Sequence, residues 1–222
     1  TVVMPSGAVR GKADATRGYG GEVIVTDDDL LETMRAVQQE RDLVMVPPFD
    51  DPAVIAGAGT AGDEILDDVP DADVILVGVG GGGILCGVAV AALGRRPGVR
   101  VIGVEPQGAA GMRLSLDRGS AQRLESVSTV ADGLAAPWVG VLNFAHVQAL
   151  GIEIVTVSDA AIIDAMWLTM ERCKVFAEPA AAAGLAAMMS GAVRVPRGCR
   201  VVTVVTGGNV DRARLETLAR GA

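Results

Sequence analysis

Residues 74–87 read VILVGVGGGGILCG, an apolar run that leads into four consecutive glycines, Gly80–Gly83, and then into a stretch able to form a helix. A strand that ends in glycines before a helix places backbone N–H groups and the positive end of the helix dipole at one point. Because glycine has no Cβ and adopts positive φ at little cost, such a loop can wrap closely around a phosphate. The stretch therefore predicts a phosphate site, with a flexible or tightly packed turn as the competing interpretation.

Strand-like and helix-like segments alternate on both sides of this loop. The alternation predicts an α/β fold, with parallel twisted sheets and helices on both faces. A strand is predicted at 43–46, just before the segment PPFDDP at 47–52, whose prolines and aspartates interrupt regular structure. We expect two lobes, a small α/β domain over residues 1–47 and a large one over residues 48–222.

The composition narrows the class of function. The formal net charge is −8, aromatic residues make up 3%, and no Lys/Arg cluster is present, which argues against a nucleic-acid or anionic-membrane partner. No apolar stretch reaches transmembrane length and no signal peptide is visible. We expect a cytoplasmic protein that acts on a small molecule, with Cys86, Cys173 and Cys199 as reduced core thiols.

The glycine loop also fits a second ligand class. Gly78, Gly80 and Gly83 spell GxGxxG, and Glu105 lies about twenty residues further on at the end of the next predicted strand. This is the spacing of a dinucleotide site with its ribose-binding acid. A nicotinamide or flavin enzyme is therefore an alternative, although it gives the other glycine turns no role.

A second glycine turn lies near the end of the sequence. Residues 201–211, VVTVVTGGNVD, form another predicted strand, glycine pair and helix start. If this strand lies near the first in a parallel sheet, both turns meet at the carboxyl edge, with the hydroxyl of Thr206 at the rim. In AEPAAAAGLAA, residues 177–187, small residues allow close backbone approach, and Glu178 is either a packing residue or a ligand-contacting one.

Several motifs together resemble one family. PFDDPAVIAGAGTAGDEIL, VGGGGI, GVEP, STVADGLA, EPAAAAGLAA and TGGNVD occur in this order in the sequence. They are similar to motifs of the serine/threonine dehydratases and serine racemases, which are pyridoxal-phosphate enzymes of the tryptophan-synthase-β type. The opening MPSGAVRGKADATRGYGGEVI resembles the small domain of that family, so the likeness covers the whole chain.

The resemblance implies a fold, a cofactor and site residues. The fold is the tryptophan-synthase-β-like one, fold type II, here lacking its amino-terminal part. The cofactor is pyridoxal 5'-phosphate, with its phosphate bound by Gly80–Gly83 and Ile84. Thr206 takes the place of the serine that bonds to the pyridine nitrogen; a hydroxyl leaves that ring largely neutral, which suits β-elimination.

The resemblance also implies that the 222 residues lack the catalytic lysine and a complete metal site. The family's Schiff-base lysine matches neither Lys12 nor Lys174 and is expected upstream of Thr1, so no catalytic residue is assigned and the chain alone is expected to be inactive. Some relatives place a divalent cation beside an acid like Glu105, but Gly111 stands where a further acid is needed, so no metal is assigned.

The activity implied for the complete protein is conversion of L-threonine or L-serine to a 2-oxo acid and ammonia, with a homodimer as the family habit. Serine racemase-like activity is one alternative. A phosphate-binding remnant without catalysis is another.

Overall fold

The structure is a computed structural model that describes residues 1–8 and 10–220. It divides the chain into two compact units, Thr1–Val46 and Pro47–Ala222. The division falls at the pair Pro47–Pro48, where fixed φ angles and missing N–H groups prevent a helix or a paired strand from continuing. Among the described residues, no helix combines the length and the apolarity needed to cross a membrane.

The first unit is a small parallel βαβ arrangement followed by a helix. Its two strands pair side by side in parallel, as expected for strands joined by a helical crossover. Asp29 starts the last helix, since its carboxylate accepts hydrogen bonds from the N–H groups of Leu31 and Glu32. In chain order the elements are β1 (Val2–Pro5), α1 (Arg10–Gly18), β2 (Val23–Thr26) and α2 (Leu30–Arg41).

The strand predicted at Leu43–Val46 is wrong. These residues follow α2 as irregular chain, and no strand among the described residues pairs with them. Val44 and Val46 are 91% and 77% exposed. An apolar run becomes a strand only where a neighbouring strand pairs with its N–H and C=O groups, and the described residues provide no such strand here.

The second unit is built around a four-stranded, wholly parallel sheet. The strands lie in the order β5-β4-β3-β6, and they are β3 (Val74–Gly78), β4 (Arg100–Pro106), β5 (Glu153–Val157) and β6 (Val201–Thr203). The helices are α3 (Pro52–Asp68), α4 (Gly83–Arg95), α5 (Gly111–Arg118), α6 (Val141–Ala149), α7 (Asp159–Leu168), α8 (Ala183–Met189) and α9 (Arg212–Ala219). Residues 169–173 continue α7 as a π-helix, and 179–182 form a 3₁₀ turn before α8.

The central strand is buried on both faces. Side chains of β3 alternate: Ile75 and Val77 belong to a core cluster with residues of α3 and α4, whereas Val74 and Leu76 belong to another with residues of α7 and α8. This period of two is what a pleated strand between helical layers requires. The predicted α/β fold with helices on both faces is confirmed, and it places the end of β3 in the middle of the sheet.

Helices α3 and α4 approach each other through glycines. A methyl group at Gly87 would lie 2.5 Å from the backbone nitrogen of Gly59, and one at Gly62 would lie 2.8 Å from the carbonyl oxygen of Val88. No side chain separates the two backbones at these points. The close approach explains the glycines at Gly59 and Gly62 of α3 and at Gly87 of α4. It also fixes the position of α4, the helix that starts at the glycine loop.

Candidate functional site

The loop between β3 and α4 presents a continuous row of hydrogen-bond donors. Within the part of the chain that the structure describes, none of the six backbone N–H groups from Gly80 to Leu85 donates to a protein acceptor. The next, that of Cys86, begins the helical pattern by donating to Gly82. Such a row at a helix start attracts an anion, because the donors and the helix dipole act in the same sense.

Close packing on one side explains why the loop consists of glycines. A methyl group at Gly81 would overlap the ring of Phe49, and one at Gly82 would lie 2.9 Å from Cβ of Asn143. Gly82 also has φ = +102°, a conformation that side chains disfavour. Phe49 in turn packs against Trp138, with ring centroids 5.5 Å apart. Phe49 and Asn143 therefore pack directly against the loop backbone and leave no room for side chains on that side.

Two aspartates of the PFDDP segment start two different helices. The carboxylate of Asp51 accepts from the N–H groups of Ala53 and Val54 at the start of α3. The carboxylate of Asp50 accepts from the N–H of Leu142 at the start of α6, at 2.7 Å. Gly140, the N-cap residue of α6, has no side chain to do this. The segment therefore contacts both α6, through Asp50, and the glycine loop, through Phe49.

The second glycine turn lies on the strand next to the first. β6 pairs with β3, so the turn that follows it, with Thr206 and Gly207, leaves the same edge of the sheet. Here Gly207 accepts a hydrogen bond from the N–H of Glu178 at 3.0 Å. A methyl group at Gly207 would lie 2.8 Å from the carboxylate of Glu178, and one at Gly133 would lie 3.2 Å from it. Three turns therefore meet around Glu178, and the side chain of Thr206 is exposed.

The STVADG segment is fixed by a carboxylate of α7. Asp159 accepts from the hydroxyl of Thr129 at 2.6 Å and from the N–H of Val130 at 2.9 Å. The Thr129 hydroxyl also accepts from the N–H of Ala131 at 3.1 Å. These bonds hold the turn that contains Gly133 against Glu178. Sequence reasoning missed Asp159, because its only local signal is that of an acid in a first helical turn.

Glu105 is a buried helix cap. Its side chain is fully buried at the end of β4, and its oxygens accept from the N–H groups of Met112 at 2.7 Å and Arg113 at 2.9 Å. Burial raises the pKa of this carboxyl to about 7, although the backbone hydrogen bonds and Arg113 act in the opposite direction. Both oxygens are thus engaged inside the protein, which removes the ribose-binding acid that the dinucleotide alternative requires.

The sequence has two lysines and one histidine, and we assign none of them to the turns around Glu178. The ring of His146 bonds through Nδ1 to the carbonyl of Leu142 within its own helix, and Lys174 donates to the carbonyl of Glu171. Lys12 lies in α1 of the first unit. Among the described residues no group of three His, Cys, Asp or Glu side chains could hold a metal ion.

The cysteines differ in burial. All three are free thiols, but only Cys86 lies in the core, whereas Cys199 is half-buried and Cys173 is exposed; the prediction of three core thiols is wrong for the latter two. Burial raises the pKa of Cys86 to about 12, with a smaller contribution from the charge of Asp50. Its thiol donates to the carbonyl of Asn143 and acts as a packing residue.

Comparison with known proteins identifies the family. A family model described as pyridoxal-phosphate dependent enzyme matches residues 1–207. The chain belongs to this family. Membership accounts for the order of the motifs along the sequence and for the glycine loop at the centre of the sheet, and it sets aside the dinucleotide alternative already weakened by the position of Glu105.

Relatives within the pyridoxal-phosphate dependent family are ammonia-lyases and racemases. The chain is 42% identical over 214 residues to an L-threonine ammonia-lyase of Thermotoga maritima, covering 95% of the chain and 53% of that protein. It is 37% identical to the catabolic L-threonine dehydratase TdcB of Escherichia coli, covering 98% of the chain and 67% of that protein. The solved structure of maize serine racemase superposes with a TM-score of 0.89 at 35% identity, over 98% of the chain and 68% of that structure. The chain thus spans about half the length of the Thermotoga relative.

Proposed function

We propose that the complete protein converts L-threonine or L-serine to the 2-oxo acid and ammonia with pyridoxal 5'-phosphate as cofactor. The observation that carries the proposal is the row of free N–H groups from Gly80 to Leu85 in a chain of this family. When bound, the cofactor supplies an electron sink for the negative charge that develops at Cα of the amino acid. Relatives described as threonine ammonia-lyases support the hydroxy-amino-acid substrate.

The loop residues fit the phosphate end of the cofactor. Gly80–Gly83 and Ile84 offer backbone donors that lack protein acceptors, and the dipole of the thirteen-residue helix α4 adds positive charge at its start. The glycines leave no side chain between the backbone and the ligand. We assign the phosphate to this loop, where the donors bind it and orient the rest of the cofactor along the carboxyl edge of the sheet.

Thr206 is our candidate for the contact to the pyridine nitrogen. The proposal is supported by the pairing of β6 with β3, which puts both glycine turns at one edge, and by the exposed hydroxyl in the second turn. A hydroxyl donates a hydrogen bond to the nitrogen without supplying the negative charge that would hold a proton there. This favours prompt loss of the β-hydroxyl over a long-lived carbanion.

The covalent lysine is proposed to lie outside these 222 residues. Lys12 is on a surface helix of the first unit and Lys174 follows the π-helix, where it bonds to its own backbone turn. Neither is on the loops that meet around Glu178. The 222-residue chain is therefore expected to bind the phosphate end of the cofactor without turning over substrate.

Racemisation is the second candidate activity, favoured by the likeness to maize serine racemase. Both activities begin with removal of the Cα proton; elimination then expels the β-hydroxyl, whereas racemisation returns a proton to the opposite face of Cα. We also propose a homodimer in the cytoplasm, as the family resemblance implies.

The test uses the complete gene product and the 222-residue chain side by side. With pyridoxal 5'-phosphate present, the complete protein should release 2-oxobutanoate from L-threonine or pyruvate from L-serine, and the 222-residue chain should release neither. Chiral chromatography of the remaining serine then detects racemisation. A complete protein that binds the cofactor but forms neither a 2-oxo acid nor D-serine would contradict the proposal.

A further inference from the structure

The side chain of Asn143 holds the centre of the glycine loop. Its Nδ2 donates to the carbonyl oxygen of Gly81 at 2.8 Å, and the N–H of Gly140 donates to the same oxygen at 3.2 Å. Asn143 is fully buried, and its own backbone carbonyl accepts from the thiol of Cys86 at 3.3 Å. One residue at the start of α6 thus contacts both the loop and the helix that follows it.

These bonds determine which way the next N–H group points. In a trans peptide the carbonyl of one residue and the N–H of the next point in opposite directions. Because the Gly81 carbonyl is held toward α6, the N–H of Gly82 is turned away from α6. That N–H belongs to the row without protein acceptors. The amide of Asn143 therefore sets the direction of a donor in the proposed phosphate site.

The oxygen of the Asn143 side-chain amide indicates that packing alone does not explain why an asparagine stands at this position. Oδ1 of Asn143 is buried and finds no hydrogen-bond partner among the described residues, which costs stability. A flipped amide would bring Oδ1 against the Gly81 carbonyl, with two acceptors facing each other. The observed orientation keeps the bond to Gly81 at the expense of an unpaired oxygen.

We propose that Asn143 is a positioning residue for the anion-binding loop and that it sets the affinity for phosphorylated ligand through the Gly81–Gly82 peptide. The inference rests on the proposed role of Gly80–Gly83 in binding the cofactor's phosphate. It adds a side chain, remote from the loop in sequence, to a site otherwise made of backbone.

The probe is pyridoxine 5'-phosphate, which lacks the aldehyde and so cannot react with Lys12 or Lys174. Isothermal titration calorimetry on the 222-residue chain gives its affinity, and the amide resonance of Gly82 in glycine-labelled protein reports the orientation of the donor. Asn143→Ala should weaken binding about tenfold, the loss expected when a hydrogen bond that orders a charged ligand site is removed. The Gly82 resonance should respond less to the ligand than in the unsubstituted chain.

Two further variants separate positioning from packing. In Asn143→Asp, burial raises the pKa of the new carboxyl; its neutral form at pH 5 donates to Gly81, whereas its anion at pH 8 repels both the carbonyl and the phosphate. Affinity relative to the unsubstituted chain should be within about threefold at pH 5 and lower by more than tenfold at pH 8. Phe144→Leu, a core change on the same helix, should lower the Tm and leave affinity unchanged.

The outcomes are distinct. Unchanged affinity in Asn143→Ala, or an equal loss in Phe144→Leu, overturns the inference about Asn143 while the proposed function stands. No binding by the unsubstituted chain overturns the inference about Asn143 together with the assignment of phosphate to Gly80–Gly83, whereas the activity of the complete protein is decided by its own assay. If Asn143→Ala does not fold, the pH dependence of Asn143→Asp decides, and a loss that is the same at both pH values counts against positioning.

Discussion

Asp50 accepts a hydrogen bond from the backbone N–H of Leu142 at 2.7 Å, across 92 residues of sequence. Asp50 has φ = +63°, in the left-handed region, where Asp is tolerated better than most residues. The carboxylate replaces the cap that Gly140 cannot provide for α6, and α6 in turn carries the residues that hold the Gly81 carbonyl. One strained aspartate therefore connects the segment before α3 to the glycine loop through α6.

Replacing Asp50 should weaken both the fold and the loop. Asp50→Ala removes the cap and places alanine at positive φ, for a combined loss of about 2 kcal/mol in the free energy of unfolding measured in urea. Asp50→Asn keeps an acceptor and tolerates the φ angle, so it should lose less than half of that. Asp50→Ala should also lower the affinity for pyridoxine 5'-phosphate. Asp51→Ala serves as the control, because it removes the cap of α3 instead. It should destabilise the protein and leave that affinity unchanged.

Glu105 should make stability depend on pH. Its pKa is raised from 4.5 to about 7 by burial, so its contribution is fully present below pH 4.5 and is lost as the pH rises through 7. Between pH 4.5 and pH 8 the free energy of unfolding should fall by about 3 kcal/mol relative to Glu105→Gln, which does not titrate. Urea unfolding at several pH values measures this difference. A constant offset between the two proteins would show that Glu105 stays ionised in the folded state.

Adding a single methyl group at the contact between α3 and α4 should lower the free energy of unfolding. Gly87→Ala places Cβ against the backbone of α3 and should cost about 3 kcal/mol, at the upper end for overpacking. Gly57→Ala on α3 is the matched control, because no atom lies within 4 Å of its added methyl group; it should stabilise the protein by about 0.5–1 kcal/mol. Similar effects at the two sites would mean that the helices can separate without loss.

Asp159→Ala should loosen the STVADG segment. Removing its bonds to Thr129 and Val130 should cost about 1–3 kcal/mol and speed hydrogen exchange at the N–H groups of Ala131 and Leu134. Asp164→Ala, an exposed acid on the same helix, should change the free energy of unfolding by no more than about 0.5 kcal/mol. Unchanged exchange in Asp159→Ala would contradict the tethering role.

Local patterns were sufficient to predict the strand, loop and helix around Gly80–Gly83. The apolar run, the glycines and the small apolar residues after them are adjacent in sequence, and each has an intrinsic preference that the fold uses. The strand in residues 201–211 and the parallel sheet were predicted for the same reason. At Leu43–Val46 the same β-forming preference led to a wrong strand prediction. A strand forms only beside a second strand, and the sequence of the segment does not specify whether one is there.

The contacts that shape the candidate site could not be predicted in this way. Asn143 and Gly81 are 62 residues apart, and nothing near Asn143 in sequence distinguishes it from any other polar residue in a first helical turn. Glu105 was considered as a ribose or metal ligand because its type and spacing allow it. Its actual role depends on α5 starting directly over it, which is a matter of packing.

β6 and β3 pair with each other although they are far apart in sequence, so β3 leaves the ribosome long before β6 is synthesised. Val201 lies beside Val74, so a nascent chain that has not yet reached residue 201 leaves one edge of the central strand unpaired and the second glycine turn missing. Pairings this distant in sequence form slowly, and open edges invite association with other chains. Ribosome-bound intermediates of this protein should therefore be prone to association until β6 emerges.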